Sequence, residues 1–102
     1  MARRYLLVKV VSERPLSSEQ FGTALIGSVR RCFGEVGLSR IDPKLVRFDP
    51  NQSEAIVACK RDGASELQAA IALISEASEV SIVPLVLRVS GTIKGLGKRK
   101  PR

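Results

Sequence analysis

Few residues in this chain could do chemistry. There is no histidine, so a general base or a catalytic triad resting on a free imidazole cannot be built from it. The two cysteines, Cys32 and Cys59, each lie in an apolar stretch. With no histidine to complete a zinc site, they read as reduced thiols in the core. The acidic residues are too scattered to argue for a metal pair, and no metal ligand or cofactor bound by the chain is expected. Gly91, Gly95 and Gly97 make neither a dinucleotide fingerprint nor a P-loop. Arg14, in Ser12-Glu13-Arg14-Pro15-Leu16, sits where an acylphosphatase-like hydrolase would hold a phosphate with an arginine and backbone donors. That loop, however, places a carboxylate beside the anion and lacks the bracketing glycines. A small-molecule-sensing regulatory domain would also want a glycine there.

Charge is the chemistry the chain does offer. Its 17 basic and 10 acidic residues give a net +7 over 102 positions, a balance that attracts polyanions such as nucleic acid. The excess is concentrated at one end. Arg88 to Arg102 contains Arg88, Lys94, Lys98, Arg99, Lys100 and Arg102 and no acid, whereas the residues before it are close to neutral. Such asymmetry favours contact with a polyanion over a merely solubilising tail. No apolar run approaches the roughly 18 residues of a membrane helix, and Met1 to Val11 has no signal-peptide pattern. A cytoplasmic protein with no membrane association is expected.

These residues must be placed on a single core, since 102 residues suffice for one domain. Arg4 to Ser12 alternates as a strand and is apolar on both faces, which suggests a central position. Ser17 with Gln20 makes a capping box. Phe21, Ala24, Leu25, Val29, Cys32, Phe33 and Val36 then form a helical apolar stripe ending before Gly37. Lys44 to Asp49 and Glu54 to Lys60 are strands joined by a turn at Asp49-Pro50-Asn51-Gln52-Ser53. Asp62 is placed to cap a second helix, with Leu67, Ala70, Ile71 and Ile74 facing inward. Val80 to Ser90 is a last strand, with Pro84 suited to an edge.

The order β-α-β-β-α-β is the split βαβ pattern of ferredoxin-like and RNA-recognition-motif-like folds. An α+β sandwich follows, with a four-stranded antiparallel sheet and two helices on one face. Residues 1–91 would form the domain and 92–102 a basic C-terminal arm, able to reach roughly 35 Å if extended. With Leu6, Val8, Val10, Val57, Cys59, Val83, Leu85, Leu87 and Val89 against the helices, the open face shows Tyr5, Leu7, Lys9, Leu45, Arg47, Ile56, Ala58, Lys60, Val86 and Arg88. An apolar centre of this kind marks a protein interface, or else the seat of an extra C-terminal helix. Base stacking is mostly unavailable, because Tyr5 is the lone aromatic near the first strand and Glu54 to Lys60 has none. Any RNA contact would therefore run through phosphates and shape.

Several segments resemble the archaeal ribonuclease P protein component 2 family: Arg4-Tyr5-Leu6-Leu7-Val8, Phe48-Asp49-Pro50, Cys59-Lys60-Arg61-Asp62 and Val89-Ser90-Gly91-Thr92-Ile93-Lys94. The resemblance runs from about Arg4 to Leu96, and Lys98 to Arg102 falls outside it. It implies a non-catalytic subunit of the RNA-based endonuclease that removes the 5′ leader of precursor tRNA, with magnesium on the RNA subunit performing the hydrolysis. The implied partners are ribonuclease P RNA, precursor tRNA in the holoenzyme, and the TIM-barrel-like component 3, in a heterotetramer containing a homodimer of this chain. The alternative is a protein- or RNA-binding module of another structured ribonucleoprotein. Candidate RNA-binding residues are Arg3, Arg4, Arg61, Arg88, Lys94, Lys98, Arg99, Lys100 and Arg102. Candidate partner-interface residues are Tyr5, Leu7, Arg47, Ile56 and Val86.

Overall fold

A computed structural model describes residues 2–97. The elements are strand β1 (Arg3–Ser12), helix α1 (Ser18–Ile41), strands β2 (Lys44–Asp49) and β3 (Glu54–Lys60), a 3-10 turn (Arg61–Gly63), helix α2 (Ala64–Ala72), strands β4 (Glu76–Ala77) and β5 (Val80–Ser90), and helix α3 (Ile93–Gly97). The sheet is antiparallel with order β2-β3-β1-β5-β4. The expected four strands are thus five. The addition, β4, folds back on β5 through a two-residue turn in which Ser78 and Glu79 both have positive φ. That geometry is what a tight hairpin requires, but asparagine and glycine usually signal it.

The helices form where the spacing places them, with adjustments. The Ser17 side chain accepts from the Gln20 amide and the Gln20 side chain accepts from the Ser17 amide, so the capping box opens α1. α1 does not stop before Gly37. It breaks at Gly34, where φ of +71° suits glycine, and continues to Ile41. The redirected turn buries Gly37 and Ile41 and leaves Val36 82% exposed. Cys32, expected in the core, is exposed, whereas Cys59 is buried. Asp62 does not cap α2. It lies within the 3-10 turn, and Gly63 takes the N-cap position without a side-chain hydrogen bond.

α1 and α2 cover one face of the sheet, burying Phe21, Leu25, Val29, Leu67, Ala70 and Ile71 against Leu6, Val8, Val10, Val57 and Cys59. Ser28 Oγ donates to the Ala70 carbonyl at 2.7 Å, satisfying a fully buried hydroxyl at the helix–helix seam. Phe21 stacks on Phe48 with ring centroids 5.8 Å apart and ties α1 to β2.

Two irregularities reset which side chains face the helices. Leu7 pairs with Arg88 but Val8 pairs with Val86, so Leu87 is an extra residue in β5. From there toward its start the alternation of β5 is reversed. Val80, Ile82 and Val86 join the helix-side core, while Val83, Leu85 and Leu87, expected there, are about half exposed. Val86 is therefore not on the open face. In β2, Leu45 pairs with Val57 and Arg47 with Ile56, so Val46 is the extra residue; Leu45 packs on the core and Arg47 stays on the other face.

That other face is partly covered. α3 lies across it, and Leu96 is only 2% exposed, closing a small second core with Leu7 and Ile56, against which Tyr5 packs. Leu7 and Ile56, expected as an open partner surface, are buried beneath this turn. Of the expected arm, Ile93–Gly97 is helical and seated on the sheet; Lys98, Arg99, Lys100 and Arg102 lie outside the described residues.

Candidate nucleic-acid interface

Antiparallel pairing decides where the cations gather. β1 runs against both β3 and β5, so its start meets their ends: Arg3 pairs with Lys60, Arg4 with Cys59, and Tyr5 with Ser90. One end of the sheet thereby collects Arg3, Arg4, Lys60 and Arg61. The Arg61 amide donates to the Ala2 carbonyl at 3.3 Å, fastening the 3-10 turn to the start of β1.

Each cation is held differently. Arg3 sits 3.5 Å from the Asp42 carboxylate and donates to the Asp42 carbonyl at 3.4 Å. Arg4 Nη1 donates to the Arg3 carbonyl at 3.1 Å and lies 3.5 Å from where a side chain on Gly91 would begin. Arg61 Nε lies 3.7 Å from Asp62 Oδ1, both exposed. Arg40, in the last turn of α1, grips both carboxylate oxygens of Glu66, with Nη2 to Oε2 at 3.0 Å. The hydrogen bond from Arg40 holds the Glu66 carboxyl below the usual carboxylate range, and the same bond raises the pKa of Arg40. Burial pushes the Cys59 thiol up, with Arg3 and Arg4 drawing it partly back.

The remaining candidates are spread out. Arg88 is exposed on the α3 side of the sheet, across from Leu7. Lys94 is exposed on α3. Arg47 borders a cavity of about 180 Å³ shared with Glu54, Ile93, Leu96 and Gly97. The structure therefore brings Arg3, Arg4 and Arg61 together and leaves Arg88, Lys94 and Arg47 around α3. Two members of the basic end were not singled out for RNA: Lys60 and Arg40. Lys60 stands in the run Cys59-Lys60-Arg61-Asp62. Arg40 carried no signal, because α1 was expected to end before Gly37. Among the described residues no three acidic or cysteine side chains converge to hold a metal ion, and no helix is long and apolar enough to cross a membrane.

What remains is a small α+β protein whose sheet is packed by helices on one face and partly covered on the other, with Arg3, Arg4, Lys60 and Arg61 grouped at one sheet end. The chain belongs to the Rpp14/Pop5 family, whose profile matches residues 4–99. It is similar to ribonuclease P protein component 2 of Pyrococcus furiosus, 33% identical over 98 residues spanning 96% of this chain and 81% of that protein. The component 2 of Pyrococcus horikoshii is 34% identical over 97 residues, 95% of this chain and 80% of that one. The Methanocaldococcus jannaschii protein is 30% identical over 105 residues, 98% and 77% of the two chains. Among solved structures, a chain of yeast ribonuclease MRP superposes with a TM-score of 0.72 over 89% of this chain and 75% of that one. At 12% identity that likeness speaks for the fold alone.

Proposed function

We propose that this chain is a protein subunit of ribonuclease P, the RNA-based endonuclease that removes the 5′ leader of precursor tRNA. The observation that carries the reading is the family match across residues 4–99, with relatives named ribonuclease P protein component 2 aligned over nearly the whole chain. The structure supports an RNA-facing role physically: a sheet end lined with arginine and lysine can neutralise phosphates where RNA strands crowd together. The split βαβ order of the four long strands, as in ferredoxin-like and RNA-recognition-motif-like folds, fits this reading, with phosphate contact in place of base stacking.

Magnesium carried by the RNA subunit supplies the hydrolytic chemistry. Arg3, Arg4, Lys60 and Arg61 neutralise backbone charge at the sheet end, and Lys94 with Lys98, Arg99, Lys100 and Arg102 extends that role along the C-terminus. The chain has precursor tRNA as a neighbour in the holoenzyme and component 3 as its protein partner, with two copies in the heterotetramer. Because α3 occupies Leu7 and Ile56, the apolar surface left for component 3 is the stripe of Val11, Val83 and Leu85, aligned across the β1–β5 ladder.

The direct test is cleavage of precursor tRNA by the ribonuclease P RNA and its other protein subunits, with and without this chain, across a magnesium series. Adding the chain should lower the magnesium needed for half-maximal cleavage several-fold. An unchanged magnesium dependence and rate would overturn the assignment.

A further inference from the structure

The close seating of α1 on the 3-10 turn creates a feature that no single element has. Gly63 packs so tightly on Ile41 that a side chain there would lie 2.9 Å from the Ile41 Cα and Cγ1 atoms. That approach needs glycine, and it brings the residue before Ile41 beside the residues before Gly63. The result is a cavity of about 280 Å³ lined by Ala2, Arg40, Lys60, Arg61 and Asp62. Its three cations come from three elements: the last turn of α1, the end of β3 and the 3-10 turn.

We propose that Arg40, Lys60 and Arg61 form a pocket for one backbone phosphate of a folded RNA, a reading that rests on the RNA-facing role given above. Arg40 is positioned before any ligand arrives, because its fork is fixed on Glu66 through Nη1 and Nη2. A guanidinium carries five N–H donors, so part of that set is still available to an anion. Lys60 has no ion pair among the described residues and is half-buried in the pocket wall. Among the described residues the Arg61 side chain pairs with Asp62, at 3.7 Å and in solvent, a contact an arriving phosphate can displace. Two carboxylates oppose an anion here, Glu66 on Arg40 and Asp62 in the lining, and Asp62 gives the proposal a test with a sign.

The experiment is binding of the full chain to an unmodified transfer RNA transcript, followed by fluorescence anisotropy at several salt concentrations. The Lys60→Ala, Arg61→Ala double variant should bind roughly ten-fold more weakly near 0.1 M salt, with the slope of log K against log salt shallower by about 0.9, one phosphate's worth. Asp62→Asn should bind about three-fold more tightly. Arg14→Ala, at the opposite end of β1, should match the parent. Arg40 is left intact because it also joins α1 to α2. Inorganic phosphate should compete only near roughly millimolar concentration, where a single unassisted anion contact saturates. Parent-like affinity and slope in the double variant would overturn the proposal, as would weaker binding by Asp62→Asn. Competition by inorganic phosphate at about 10 µM would assign the pocket to the free ion instead. A chain that aids precursor tRNA cleavage yet binds RNA identically with Lys60 and Arg61 removed would sink this pocket and spare the ribonuclease P assignment. Pocket-dependent RNA binding without any effect on cleavage would do the reverse.

Discussion

Cys32 and Cys59 share a residue type and an apolar sequence context, yet they end in opposite environments. Cys59 is fixed by strand alternation, since it follows Val57 on the helix-facing side of β3. Cys32 depends on how far the helix stripe stays in register, and the break at Gly34 redirects the last turns so that Gly37 and Ile41 take the inward positions. The thiols should differ in reactivity accordingly. Iodoacetamide should alkylate Cys32 in the native protein at least about 100-fold faster than Cys59, because Cys59 is buried and burial also disfavours its thiolate. Peptide mass spectrometry after timed labelling reads this directly, and equal rates would show that the core around Cys59 opens freely. Glu66 shows the same dependence on context. Nothing in its sequence neighbourhood marks it, but the end of α1 delivers Arg40 to it across 26 positions. Its lowered pKa means that the pair supports the fold above the ordinary glutamate range and stops doing so as pH falls through the folded-state value.

At the scale of elements, α3 has a role out of proportion to its length. A five-residue helix cannot hold itself together in water, where isolated helices below about 12 residues are marginal. It forms because Leu96 finds Leu7 and Ile56 beneath it and because the Thr92 hydroxyl accepts from the Gly95 amide at 3.0 Å. Leu96→Ala should therefore cost roughly 2 kcal/mol, the lower end for a buried leucine because a short strap can readjust, and should release the helix. Urea unfolding would give the loss in stability, and hydrogen exchange should show the amides of residues 93–97 losing protection. Unaltered stability would mean that α3 contributes nothing to the sheet face it covers. The bulges at Val46 and Leu87 act at this scale too. Each inserts one residue and exchanges faces on one side of it, which is why Leu45 and Val86 turned inward and Val83 and Leu85 turned outward, against their expected faces, while Arg47 kept its own.

For the molecule as a whole, the two faces and the sheet end divide the work. The helix face stabilises the fold, the sheet end gathers cations, and the surface beyond α3 is left with Val11, Val83 and Leu85 exposed together. If component 3 docks on this stripe, Leu85→Glu should leave the thermal midpoint nearly unchanged, within about 0.5 kcal/mol of stability, because the side chain is already half in water. The same change should weaken association with component 3 at least about ten-fold, since a charge would enter an apolar contact. Calorimetric titration of the two purified proteins measures this, and undiminished affinity would place the partner elsewhere.

The four longer strands, the start of α1 at the Ser17 capping box, the inward stripe of α2 and the alternation of β1 could all be read from the chain. Each rests on local periodicity or on hydrogen bonding within a few residues. The charge asymmetry and the family-like segments could be read there as well, and they pointed to RNA. What the residues did not disclose was any relation set by register between distant strands. The fifth strand depended on a turn with an uncommon composition, and the faces of β2 and β5 depended on single extra residues opposite another strand. The burial of Leu7 and Ile56 depended on where α3 came to rest. The meeting of Arg40, Lys60 and Arg61 required α1 to continue past Gly37 and to sit against Gly63. Local spacing determines which elements form; only packing between elements decides which side chains share a surface, because a one-residue shift in pairing costs little in sequence and exchanges every face.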